Sequence, residues 1–163
     1  MRSVRTRVLF VGGPLLAAAL AALLVVLVAR RDEGPGDPAQ FVTGLVQQIA
    51  ANDYADAWAS LYPAHQLVAP REAYVACEAQ SPIPGKLSSV RVIQVSDEQV
   101  RVAGEGAAVA GKAVRVKLSI AGTGGAAPIV VTTTSHAVAV ADRWTWILPP
   151  ERFAEYRAGR CPR

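Results

Sequence analysis

The sequence predicts an α+β fold carried behind an N-terminal membrane helix, on three observations. Residues 8–29 form an uncharged apolar run, residues 38–78 repeat apolar side chains at helical spacing, and residues 87–148 alternate them at strand spacing between glycine-rich breaks. The expected order is one transmembrane helix, about three helices packed on a curved antiparallel sheet of four to five strands, and a short C-terminal helix.

The span comes first. Residues 8–29 contain no charge, and at about 1.5 Å rise per residue they reach roughly 33 Å, enough to cross the hydrocarbon core of a bilayer. Arg2, Arg5 and Arg7 lie in a basic leader of residues 1–7. A cleaved signal peptide is the rival reading, but its apolar region is usually only about 7 to 15 residues long. Cleavage after Ala29 would also put Leu27 where a small side chain is needed. The expectation is an uncleaved signal anchor with the lipid bilayer as its partner. Positive charge before the span places the N-terminus in the cytoplasm and residues 38–163 outside it, as a single-pass plasma-membrane protein. Residues 30–37, charged and rich in Gly and Pro, read as a flexible linker.

Asp37 and Pro38 then give the cap and first position of a helix in which Phe41, Val42, Leu45, Val46 and Ile49 share a face, ending near Ala51. Asn52 and Asp53 break it and start a second helix bearing Tyr54, Ala57, Trp58 and Leu61, which Pro63 stops. Residues 64–69 read as irregular. Pro70 opens a third helix with Tyr74 and Cys77 on one side, and the turn SPIPG at 81–85 closes it. Strands follow at 87–96, 99–103, 113–121, 129–141 and 143–148. The third is the clearest, with Val114, Val116, Leu118 and Ile120 alternating against Arg115, Lys117 and Ser119. Residues 151–158 complete the pattern as a helix stopped by Gly159.

Charge and cysteine content exclude several functions. The net charge of +4 divides into five Arg against three acids before Pro38 and twelve basic against ten acidic residues from there on. The latter are scattered singly along the chain, so nucleic-acid binding is not expected. Cys77 and Cys161 belong to no CxxC motif, and His65 and His136 are isolated, so no metal site is expected. In an exported domain the two cysteines pair as a disulfide, whereas a reducing compartment would leave two buried thiols.

Residues 52–66 (NDYADAWASLYPAHQ) and 143–162 (RWTWILPPERFAEYRAGRCP) resemble the nuclear transport factor two-like superfamily, and in particular its membrane-tethered actinobacterial-type members. The resemblance covers residues 38–163 and implies a cone-shaped α+β fold. It carries no chemistry, because that fold hosts isomerases, dehydratases and non-catalytic binders.

The candidate pocket-lining residues are Tyr54, Trp58, Tyr74, His136 and Trp146, which can form a concave aromatic wall or simply fill the core. His136 is the one candidate base, since it shares strand parity with Val138 and Val140; Asp142 lies roughly 20 Å further along and cannot pair with it. His65 sits near Tyr62 and reads as structural. Hydroxyls at 132–135 have no base beside them, no nucleophile, phosphate-loop or zinc-protease motif occurs, and no cofactor is expected. The expected function is a membrane-anchored, extracytoplasmic, non-catalytic interaction or ligand-binding module of the cell envelope, its partner another envelope protein or a small apolar ligand. The alternatives are a small-molecule isomerase or dehydratase using the cone, and a homodimer packing its sheets face to face.

Overall fold

Helix signals at residues 38–78 and strand signals at 87–148 translate into an α+β architecture. The computed structural model describes residues 35–122 and 126–162; the predicted span, its leader and most of the linker lie outside them. No helix among the described residues is long and apolar enough to cross a membrane. Among the described residues four helices, α1 (Pro38–Ala50), α2 (Tyr54–Ala59), α3 (Pro63–Val68) and α4 (Arg71–Glu78), precede four strands. The strands are β1 (Leu87–Arg101), β2 (Ala108–Ile120), β3 (Ile129–Val140) and β4 (Arg143–Trp146), and α5 (Pro150–Arg157) follows. The sheet is an antiparallel meander in the order β1-β2-β3-β4.

Local chemistry sets the helix ends. The Asp37 carboxylate accepts from the Ala39 N–H at 2.8 Å and caps α1. At the other end Asn52 takes φ 63°, and the Asn52 and Asp53 amides bond back to the carbonyls of Ile49 and Gln48. Asparagine serves here because it tolerates the left-handed region better than most residues. Gly159, at φ 69°, ends α5 in the same way.

The sheet buries one face against α1. Val114 and Val116 are buried with Val42, Val46 and Ala137, while Arg115 and Lys117 at the alternate positions are exposed. A second core joins Leu45, Tyr54, Leu61, Tyr74, Trp146 and Phe153. The Cys77–Cys161 disulfide, with 5.1 Å between Cα atoms, ties α4 to the tail beyond α5.

Three expectations are corrected. Residues 64–69 are not irregular, because Pro63 both ends α2 and occupies the first position of α3, where its missing N–H costs nothing. The predicted strands at 87–96 and 99–103 are one strand. Asp97 and Glu98 did not break it, because they lie opposite Lys112 and Gly111 in the ladder, and Asp97 is ion-paired to Lys112. Finally, β2 begins at Ala108, five residues earlier than expected, since Gly111 fits inside the ladder: a Cβ there would meet the Ala137 carbonyl oxygen at 2.8 Å and Val100 Cγ2 at 2.9 Å.

Candidate functional site

A cavity of about 480 Å³ opens between the helices and the sheet, within the range that accepts small molecules. Leu45 and Ile49 of α1, Val100 of β1, Leu118 of β2 and Trp146 of β4 give it an apolar lining. Trp146 is oriented by its indole N–H, which donates to the Ala57 carbonyl at 2.7 Å.

Polar groups enter the wall at two places. On α4, Glu78 lies four residues after Tyr74 and therefore on the same helix face. It is 8% exposed, accepts a hydrogen bond from Tyr156 Oη at 2.7 Å and is ion-paired with Arg152; Tyr156 and Arg152 are themselves four residues apart on α5. Burial opposes the charge on Arg152, but the carboxylate of Glu78 outweighs it and raises the guanidinium pKa. Burial, reinforced by the bond to Glu78, pushes the Tyr156 phenol well above its ordinary value. Tyr74, 1% exposed, is raised mainly by burial and then by Glu78. Tyr74 borders the cavity, and its neutral hydroxyl makes no hydrogen bond among the described residues.

The second polar place is the sheet. His136 Nε2 lies 3.4 Å from Glu98 Oε2, and their side chains are 32% and 46% exposed. They reach each other from β3 and β1 across β2, where Gly111 and Ala113 are too small to separate them.

The predicted lining residues therefore divide. Tyr74, His136 and Trp146 border the cavity together. Tyr54 and Trp58 lie elsewhere, packed among the helices. Tyr54 Oη donates to Asn52 Oδ1 at 2.6 Å, and the Trp58 indole N–H donates to the Ala69 carbonyl at 2.7 Å. His65 is fully buried between the carbonyl of Ala103 and the amide of Leu148. Asp142 is in the turn between β3 and β4. Glu78, Arg152 and Tyr156 were missed, although the spacing of Glu78 from Tyr74 would have placed the acid on the cavity side. Glu98 was missed because only the register of β1, β2 and β3 brings it to His136.

Nothing in this geometry points to catalysis. The His136–Glu98 pair is open to solvent, with Thr133, Thr134 and Ser135 lining the same cavity, and the Glu78 carboxylate is engaged by Arg152 and Tyr156. No cluster of three or more His, Cys, Asp or Glu able to hold a metal occurs among the described residues. No family model, curated protein or solved structure matches the chain.

Proposed function

We propose that this chain is a membrane-anchored, extracytoplasmic binding module of the cell envelope, of the cone-shaped nuclear transport factor two-like type, which holds a small apolar ligand without transforming it. The observation that carries the reading is the apolar cavity with the unpartnered hydroxyl of Tyr74 on its wall. An apolar body with one accepting oxygen, such as a ketone, ester or ether, satisfies both features. It fills the cavity, and its oxygen accepts a hydrogen bond from the Tyr74 hydroxyl. The uncharged run at 8–29 supports the anchor, and the disulfide fits an oxidising compartment.

Native mass spectrometry of the full chain, released from its own membrane without reductant, tests the ligand. The expected result is a bound apolar species of a few hundred daltons, which Leu118→Trp removes by filling the cavity and Tyr74→Phe weakens about tenfold. Empty protein, or the same species retained on Leu118→Trp, contradicts the proposal. The enzyme alternative has the His136–Glu98 pair in its favour. It requires a solvent-open pair to act on a substrate, and predicts that Glu98→Gln abolishes turnover of the bound species while leaving its binding intact.

A further inference from the structure

β3 has an edge that nothing in the described chain protects. β4 pairs only with residues 137–140, and residues 129–136 form no backbone hydrogen bond beyond their ladder with β2 among the described residues. The other strand edges are managed. β4 is closed by a bridge between Leu61 and Trp146, through the Tyr62 amide on the Trp146 carbonyl and the Trp146 amide on the Ser60 carbonyl. β1 is also unpaired on its outer side and exposes Ile93 and Val95, but it carries Arg91, Asp97, Glu98 and Arg101, charges of the kind that blunt an exposed edge. Residues 129–135 (IVVTTTS) carry no charge, no Pro and no Gly, and Ile129, Val130 and Val131 are 51%, 53% and 40% exposed. This is the composition of a segment ready to pair.

Beside that edge lies an independent feature. Across the ladder, Lys117 stands opposite both Arg91 and Thr132, and Arg115 stands opposite Thr134. Arg91, Arg115 and Lys117 are all exposed, and none has an ion-pair partner among the described residues. Like charges directly across a ladder destabilise it, so the Arg91–Lys117 juxtaposition is a cost that the folded chain bears uncompensated. These are residues that looked scattered along the sequence; the register of the sheet gathers them.

We propose that residues 129–135 of β3 accept an extended segment of a partner protein as a fifth strand, and that this segment carries acidic side chains at alternate positions. An added strand would lie about 4.8 Å beyond β3 and roughly 9.6 Å from β2, and the long side chains of Lys117 and Arg115 reach that far over the short threonines. Its main chain satisfies the free N–H and C=O groups of β3, which no lipid headgroup does in register. Its acids supply what Lys117 and Arg115 lack. A second copy of this chain would instead present threonine and valine to them and leave the charges unpaired.

The test uses the full chain in zwitterionic detergent and a labelled ten-residue peptide, (Val-Glu)5, with (Val-Lys)5 as the control. The acidic peptide binds at least about tenfold more tightly than the basic one, and added salt at about 0.5 M weakens it. Its binding shifts backbone amide resonances of residues 129–136, and Arg115→Glu with Lys117→Glu reverses the preference. Should the reversed variant fold poorly, Arg115→Gln with Lys117→Gln removes the preference without reversing it. The proposal is overturned if the two peptides bind equally, if the variants leave binding unchanged, or if the shifted amides lie outside β3. It is also overturned if light scattering shows the β3 edge occupied by a second copy, or if phosphatidylglycerol vesicles bind and neither peptide does.

Discussion

His65 joins two separate pieces of chain through one buried ring. Its Nδ1 accepts the Leu148 N–H at 2.9 Å, which puts the proton on Nε2, 3.1 Å from the Ala103 carbonyl oxygen. Burial lowers its pKa, partly opposed by the bond to Ala103 and by Glu105. The unfolded chain therefore takes up a proton near the ordinary value of about 6.5, before the folded one does, and stability falls as pH drops below that point. Urea unfolding at about pH 7.5 and pH 5 should show this loss, and His65→Leu should show less of it. At the higher pH the variant should already be weaker by about 2 to 4 kcal/mol, because the Leu148 donor and the Ala103 acceptor are both left without a partner. Ala141 supplies a prediction of the opposite sign. It sits at φ 56° in the two-residue turn between β3 and β4, a region that glycine occupies without a Cβ penalty. Ala141→Gly should stabilise the protein by about 0.5 to 1 kcal/mol, measured as a higher denaturant midpoint at unchanged slope.

At the scale of elements, α5 is held to α4 twice, by the Glu78–Arg152–Tyr156 cluster and by the Cys77–Cys161 disulfide. Glu78→Gln keeps the shape but leaves Arg152 without its carboxylate. The expected loss is about 1 to 3 kcal/mol, below that of a fully buried pair because the Arg152 side chain is 40% exposed. Replacing both cysteines by serine should cost more, roughly 4 to 5 kcal/mol on the chain-entropy estimate for a separation of 84 residues. Unfolding of the oxidised, reduced and serine forms measures this directly. The elements themselves were largely readable from sequence, because capping and periodicity are local: Asp37, Asn52 and Gly159 mark helix ends, and the alternation from Val114 to Ile120 marks a strand with one exposed face. Pro63 was misread because one residue can end a helix and begin the next. Asp97 and Glu98 were misread because their tolerance depends on Lys112 and Gly111, which only the ladder brings opposite.

The same limit governs the whole molecule. The α+β order follows from periods of 3.6 and 2 in the sequence, whereas the cavity wall, the His136–Glu98 pair and the row of Arg91, Lys117 and Arg115 depend on register and on how helices seat against the sheet. Tyr74 and Trp146 could be nominated from sequence because aromatic residues on apolar faces are few; Tyr54 and Trp58 could not be separated from them, since packing among helices uses the same residues. The central proposal is that the cavity takes an apolar ligand with one accepting oxygen. Photolabelling in native membranes with a diazirine-bearing alkyl ketone tests it most directly. The account predicts label on the Tyr74 and Trp146 peptides, competed by excess unlabelled ketone and reduced about tenfold by Leu118→Trp. Label that avoids those peptides, resists competition or persists undiminished in the filled variant would contradict it.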